Sequence, residues 1–209
     1  MEPGLKVLGA DYAVGVAFLS GDSTSHFGHF ETVAIPGQFS WALPNDLHVS
    51  TGLSVYLPDG TQNQNGYNGV PNSINYWAFE PNVGLSWLHD GWNLSASLNF
   101  DINMRDQRTG YSSGNVLIGE YTATKTVGKW TMGLTGFTDN QIEADQSNNA
   151  AAQANINLEG GNKQTRYSLG PLVGYNFGPL DLTAYVTQDF GVKNGPGGTN
   201  LWTRVSVPF

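Results

Sequence analysis

Acidic side chains at intervals along this chain are the residues whose types and spacing could do chemistry. Glu80, Asp101 and Glu120 stand at polar positions of segments in which polar and apolar residues alternate. Carboxylates on the wall of a water-filled passage form an acidic constriction, which favours cations over anions. Arg166 and Arg204 stand at polar positions of later segments and would line another part of the wall. The alternative is that these charges pair with one another and plug the passage.

Catalysis needs a nucleophile and a base in a fixed arrangement, and the sequence offers little for either. The chain has no cysteine, and its four histidines are His26, His29, His48 and His89. No serine lies in a motif that resembles a nucleophile elbow, and the isolated His26 and His29 are too sparse to predict a metal site. We therefore expect no enzyme activity, metal or cofactor. Loss of a hydrolase activity on His48→Ala would support the opposite view.

The segment from Trp92 to Asn103 represents the kind of element that would position these side chains. Every second residue is apolar and every residue between is polar, which predicts a β-strand at a boundary between two solvents. A strand from Trp92 to Ile102 rises about 33 Å, and a tilt of about 40° projects this onto about 25 Å. That height equals the lipid-facing band of an outer-membrane barrel.

Composition indicates which face of such strands meets water. Charged residues make up only 12% of the chain, against about 25% in ordinary soluble domains, and a water-exposed surface would carry more charge. The polar positions are mostly Ser, Thr, Asn and Gly, which suit a crowded, hydrated interior. We therefore expect the apolar face to point outward.

The same alternation predicts about ten antiparallel strands in five hairpins. They span residues 7–19, 32–43, 47–57, 75–88, 92–103, 116–127, a stretch from 130, 166–177, 180–189 and a stretch ending at 209. In the second strand Val33, Ile35, Phe39 and Trp41 are expected to face outward. Residues 1–209 thus read as one all-β domain, a transmembrane antiparallel up-and-down β-barrel. A soluble lipocalin-like barrel and a sandwich are the alternatives.

Connections of two kinds alternate along the chain, as in outer-membrane barrels. Tight turns are predicted at Pro44, His89, Gly128 and Gly178, and longer polar loops near Gly21, Asp59, Arg105, Asn140 and Gly191. Within the last part of the chain, residues 140–163 are expected to form a surface loop, with a constriction at the mouth or a partner-binding lid as alternatives. Aromatic residues beside the short turns would lie at the membrane interface; these are Trp41, Trp87, Trp92, Trp130, Phe177 and Phe209.

A barrel of ten strands is far narrower than a porin of sixteen, which excludes bulk flow of large solutes. The residues predicted to line its channel are His48, Tyr56, Glu80, Asp101, Glu120, Phe137, Asp139, Arg166, Asp181, Tyr185, Asp189 and Arg204. Passive diffusion of small solutes is the expected function. A non-conducting structural or surface-interaction barrel is the alternative.

Three stretches resemble one known family. WAFEPNVGL (77–85), SLGPLVGYNFGP (168–179) and LWTRVSVPF (201–209) are similar to the outer-membrane family of phenol-degradation meta-pathway proteins, also called SphA-like, and the likeness covers most of the chain from about Leu47. The resemblance implies a passive outer-membrane channel associated with uptake of aromatic or other hydrophobic compounds. It also implies another hairpin ahead of the first residue in most relatives, which would join the first and last strands differently. The ending at Phe209 resembles the signal that the barrel-insertion machinery reads.

Charge and the N-terminal segment bear on location and partners. A net charge of -8 argues against an electrostatic grip on nucleic acid. Residues 1–8 lack the charged start and apolar core of a secretory signal, so we expect a mature, shortened or engineered chain. The expected location is the bacterial outer membrane. The expected partners are membrane lipid or detergent, small solutes or ions, and the insertion machinery.

Overall fold

In a computed structural model, which describes residues 6–23, 26–61 and 75–207, the chain forms an antiparallel sheet that follows chain order. Its strands are β1 (Lys6–Val7), β2 (Ala10–Ser23), β3 (His26–Leu43), β4 (Leu47–Tyr56), β5 (Ala78–His89), β6 (Trp92–Asn103), β7 (Tyr111–Ser112), β8 (Val116–Val127), β9 (Trp130–Gln141), β10 (Gln146–Ser147), β11 (Thr165–Asn176), β12 (Asp181–Lys193) and β13 (Thr199–Ser206). The helix α1 spans Ala150–Leu158.

Eleven of these strands form one sheet in the order β1-β2-β3-β4-β5-β6-β8-β9-β11-β12-β13, and β7 pairs with β10 in a separate two-stranded sheet. Ten of the eleven are long, as the alternation predicts, and the predicted bounds of β6 and β8 agree with the structure. The all-β antiparallel fold is therefore confirmed. Within the described residues the hydrogen-bonded order runs from β1 to β13 with no rung between these two ends.

The apolar face of the sheet is its exposed face. Leu85, Leu98 and Leu134 are each about half exposed although they lie mid-strand, and in β6 the apolar residues are mostly exposed while the polar ones between them are half-buried. Among the described residues the buried hydrophobic side chains are those of Ala10, Val33, Ala78 and Ile156. This sheet therefore presents its hydrophobic residues outward. We call its two sides the apolar face and the polar face.

One strand departs from the predicted alternation. The expectation that Val33 faces outward is wrong, because Val33 pairs with Tyr56 of the polar face and is 7% exposed. Ala34 takes the outward position instead, opposite Val55. The expectation for Ile35 is wrong too, because it pairs with Gly15, which lies between the outward Val14 and Val16. The cause is a β-bulge between Ala34 and Gly37 that adds one residue to β3. Counted back from Trp41, an added residue moves the side chains before it to the other face.

Two of the predicted loops are wrong. The chain does not leave the sheet near Gly21, because β2 continues to Ser23 and Gly21 pairs with Gly28 of β3. Strand pairing depends on backbone hydrogen bonds, so it can continue where the alternation of side chains ends. Residues 140–163, expected as a surface loop, instead contain β10 and α1. Ala-rich sequence favours a helix, and Asn149 caps it by accepting hydrogen bonds from the amides of Ala151 and Ala152.

The short turns after β3, β5, β8 and β11 lie at one end of the sheet, the turn end. The longer connections lie at the other end, the loop end, together with the short connection between β2 and β3. Asp90 and Gly91 join β5 to β6 with φ of 46° and 75°, the left-handed pair that a tight hairpin turn requires. The carbonyl of Gly91 accepts a hydrogen bond of 2.7 Å from the amide of Thr126 in β8. Backbone conformation thus fixes this turn and, through it, the register of β5 on β6.

Candidate functional site: the polar face

A row of facing residues crosses five strands of the polar face. Ser97, Glu120, Phe137, Ser168 and Asp189 pair in turn from β6 to β12. The structure therefore brings three of the predicted lining residues, Glu120, Phe137 and Asp189, onto one rung of the ladder. The carboxylate of Glu120 accepts a hydrogen bond of 3.1 Å from the Ser97 hydroxyl.

Arg166 lies one step along the strands from this row, and its charge is compensated. It pairs with Asp139 of β9, and its Nη2 is 3.3 Å from Asp139 Oδ2. Its guanidinium also lies 4.8 Å from the ring centroid of Phe137, which is within range of a cation–π interaction. Arg166 is thus held against the wall by two predicted lining residues.

Glu80 and Asp101 occupy a different level of the polar face. On the neighbouring strands β5 and β6 they lie between two pairs of facing residues, Phe79 with Ile102 and Asn82 with Asn99. The rungs between are interrupted at Pro81, which has no N–H to donate. On the opposite, apolar face a shallow groove of about 250 Å³ lies at this interruption, lined by Pro81, Asn82, Val83, Leu98, Asn99, Phe100 and Leu117.

The structure does not place the three predicted acids on one rung. Asp101 pairs with Val116, which is four residues from Glu120 along β8, a separation of about 13 Å along the strand. Glu80 accepts a hydrogen bond of 3.1 Å from the Tyr56 hydroxyl. The acidic residues are therefore spread over two levels, and their role as a constriction stays a prediction.

The remaining predicted lining residues lie towards the ends of the sheet or on its last strands. His48 pairs with Ala42 and Ser86 near the turn end, where Asp181 pairs with Ser206. Asp189, already placed in the row, also accepts hydrogen bonds from the Asn200 amide at 3.0 Å and from the Gly198 N–H at 3.1 Å. Tyr185 and Arg204 face the same side on β12 and β13.

Sequence reasoning missed Trp202 as a residue of the polar face. Trp202 pairs with Tyr185, and the two rings stack with centroids 6.3 Å apart and planes 17° apart. The signal was present, because Leu201, Thr203 and Val205 form the alternating outward set of β13 and so place residue 202 on the other side.

The connections at the loop end form a folded unit, the loop module, made of residues 104–115 and 142–164. Its centre is Asp145, which is 2% exposed. The Asp145 carboxylate accepts hydrogen bonds from the Tyr111 hydroxyl, from the Gly114 amide at 2.9 Å and from the Gln141 and Asn162 side chains at 2.6 and 2.8 Å. Four hydrogen-bond donors stabilise this buried carboxylate without a cation as partner.

Acidic residues of both the polar face and the loop module act on the pKa of Tyr76. Burial, followed by the negative charges of Asp101, Glu31 and Asp145, raises the pKa of Tyr76 to about 12. Asp101 and Glu31 belong to the polar face and Asp145 to the loop module, so all three act on one phenol. Gln141, the last residue of β9, donates a hydrogen bond to Asp145, so the loop module lies at the loop end of the sheet.

Five of the six aromatic residues predicted for the membrane interface, Trp41, Trp87, Trp92, Trp130 and Phe177, lie at the turn end, and their contact with a membrane stays a prediction. The Tyr175 ring lies between Trp130 and Phe177, with centroid distances of 4.7 and 4.6 Å. The Lys125 ammonium lies 5.3 Å from the Trp92 ring centroid. Trp41 stacks on Phe39 at 6.2 Å and Trp87 on His89 at 5.4 Å. Phe209 lies outside the described residues.

Two further observations concern the part of the chain that the structure describes. It contains no group of three or more His, Asp or Glu residues that could hold a metal ion. The helix in it is too short and too polar to cross a membrane.

A protein-family model described as "Putative MetA-pathway of phenol degradation" matches residues 5–205. The chain belongs to this family. The resemblance carried by residues 77–85, 168–179 and 201–209 is therefore confirmed, and membership extends to the first strands as well. Searches of curated proteins and of solved structures found no match. The family description associates its members with phenol degradation and says nothing of transport.

Proposed function

We propose that this chain is a β-barrel of the bacterial outer membrane whose polar face lines a passage for small solutes, including aromatic or hydrophobic compounds. The observation that carries the proposal is the exposed apolar face. Apolar side chains such as Leu98, which is 48% exposed, lie mid-strand with no protein covering them. Exposed apolar area of this extent marks a surface that meets a membrane or a partner, and the strand length matches a bilayer.

Closure of the sheet is part of this proposal. The long strands number ten, and an even number allows β2 and β13 to run antiparallel if they meet. Closure would satisfy the free hydrogen-bonding groups on both edges, which lipid cannot do. A barrel of this size leaves a narrow interior, so the proposal is limited to small solutes and ions.

The charges predicted to line the passage favour cations. Six are acidic (Glu80, Asp101, Glu120, Asp139, Asp181 and Asp189) and two are basic (Arg166 and Arg204). Because Arg166 already pairs with Asp139, the remaining charge of the wall is negative, and a negative wall attracts cations. No catalytic function, cofactor or nucleic acid partner is part of the proposal. Its partners are membrane lipid, the solute and the insertion machinery.

Single-channel recording in a planar lipid bilayer tests the proposal. We expect discrete current steps and, in a salt gradient, a reversal potential that indicates cation selectivity. Glu120→Gln removes a charge from the row on the polar face and should reduce that selectivity. The matched control is Glu143→Gln, which removes the same charge from an exposed position in the loop module and should leave it unchanged.

A barrel without conductance is the second candidate, and one observation favours it. The Arg166 side chain is bound to Asp139 and lies over Phe137, which is how polar side chains fill the interior of small barrels. A folded, membrane-inserted protein that gives no current in any salt would support this candidate and overturn the channel.

A further inference from the structure

We propose that Trp202, Tyr185 and Arg204 form a binding site for a planar aromatic ring that carries a carboxylate. The inference deepens the proposed function and rests on it, since it names a solute class that one site in the passage would hold. The wall as a whole is negative, and Arg204 makes this site a local positive exception to it. Its starting point is a tryptophan on the polar face, where the rest of the wall is made largely of small polar side chains.

The position of Trp202 separates it from the interface aromatics. The register of β13 on β12 pairs Trp202 with Tyr185, Asn200 with Thr187 and Arg204 with Thr183, all on the polar face. Trp92 and Trp130, by contrast, lie on the apolar face at the turn end. Placement at a membrane interface therefore does not explain Trp202.

The ring of Trp202 is both held and accessible. Tyr185 stacks on it with planes 17° apart, which restricts its orientation, yet Trp202 remains 57% exposed. An exposed ring fixed by a second ring offers a flat apolar surface in polar surroundings. Planar aromatic molecules gain most from such a surface, because offset stacking requires a flat partner.

Arg204 supplies the charge selectivity. It stands two residues from Trp202 on the same face, a distance of about 7 Å along the strand. Among the described residues no ion pair involves Arg204, whereas Arg166 is paired with Asp139. Asp181 lies on the next polar-face rung, opposite Ser206, and forms no ion pair with Arg204 among the described residues. A guanidinium without an ionic partner, beside a stacking surface, is suited to the carboxylate of an aromatic acid.

Ligand-observed NMR titration of the detergent-solubilised protein tests the site with three probes. Benzoate has the ring and the charge, cyclohexanecarboxylate has the charge without a planar ring, and benzyl alcohol has the ring without the charge. Benzoate should bind more tightly than cyclohexanecarboxylate by about two- to twelvefold, the range for an aromatic pair. It should bind more tightly than benzyl alcohol by about two- to fivefold, the range for an exposed ion pair.

Variants assign any such preference to the site. Trp202→Leu should abolish the preference for benzoate over cyclohexanecarboxylate, and Trp202→Tyr should retain part of it because a ring remains. Arg204→Gln should abolish the preference over benzyl alcohol, and Arg204→Lys should restore it in part. The controls are Trp92→Leu on the apolar face and Arg108→Gln in the loop module. Both should bind the three probes as the unaltered protein does.

The outcomes separate this inference from the channel proposal, since binding in detergent does not depend on conductance. Equal affinity for the three probes, or an unchanged benzoate preference in folded Trp202→Leu, overturns the site even if the protein conducts. Ring and charge preferences that disappear in the Trp202 and Arg204 variants support the site even if no current is seen, in which case only the channel fails. Folding of each variant is checked by heat-modifiable migration, and Trp202→Tyr decides the outcome if Trp202→Leu does not fold.

Discussion

At the scale of single residues, Asp145 decides whether the loop module keeps its fold. Its buried carboxylate accepts hydrogen bonds from Tyr111, Gly114, Gln141 and Asn162. The sequence reveals none of this, because the donors come from positions up to 34 residues away and an isolated aspartate in a polar stretch is usually solvated. Alternation predicts positions on a sheet, and it carries no information about a network formed between loops.

Asp145→Asn tests that network. The new amide group would present a donor to donors, so we expect the local stability of the loop module to fall by about 1–3 kcal/mol. Hydrogen exchange read by mass spectrometry should show faster exchange in residues 104–115 and 142–164, with the sheet unchanged. Glu143→Gln, an exposed acid in the same module, is the control. Equal protection in both variants would contradict the role of Asp145.

The same module should open at alkaline pH. Burial and the hydrogen bond to Asp145 raise the pKa of Tyr111 to about 12, above its ordinary value near 10. A raised pKa in the folded state means that the stabilisation is complete below about pH 10 and is lost as pH rises towards 12. Exchange in the module should therefore accelerate between pH 10 and 12 after correction for intrinsic rates. In Tyr111→Phe this acceleration between pH 10 and 12 should be smaller, and the part that persists is assigned to Tyr76, whose pKa is also about 12. An unchanged pH dependence in Tyr111→Phe would contradict the role of Tyr111.

At the scale of elements, the strands were predictable wherever apolar and polar residues alternate. The bounds of β6 and β8 follow directly from alternation, although Val116 and Ile118 lie on the polar face, where they pair with Asp101 and Asn99. Prediction failed in β3, where the bulge beside Pro36 reverses the face of Val33. A bulge depends on register with both neighbouring strands, which a single strand does not reveal.

Turn glycines provide a matched test of how the hairpins are fixed. A Cβ at Gly91 would lie 2.5 Å from the Thr126 carbonyl oxygen, whereas a Cβ at Gly128 would meet no atom within 4 Å. Both residues have positive φ, so Gly→Ala imposes similar backbone strain at each. Gly91→Ala should therefore lower the free energy of unfolding by about 1–3 kcal/mol more than Gly128→Ala. Urea titration in lipid vesicles measures this difference, and equal losses would contradict the account of the turn.

At the scale of the whole molecule, orientation was predictable from composition, and the arrangement of the polar face was not. Few charges among the alternating residues indicated an outward apolar face, and the exposure of Leu85, Leu98 and Leu134 agrees. The spread of Glu80, Asp101 and Glu120 over two levels depends on the stagger between strands, which sequence spacing does not fix. The polar-face position of Trp202 could have been predicted, because its neighbours Leu201 and Thr203 belong to the outward set of β13.

The central claim, that the apolar face contacts lipid, has one direct test. Because the chain has no cysteine, Leu98→Cys and Ser97→Cys each give a single site for a fluorescent label on opposite faces of β6. In lipid vesicles, brominated acyl chains should quench the label at 98 and spare the label at 97, while a water-soluble quencher should favour 97. A label at 98 that the water-soluble quencher reaches freely and the brominated chains do not, in folded protein mixed with vesicles, would contradict the account.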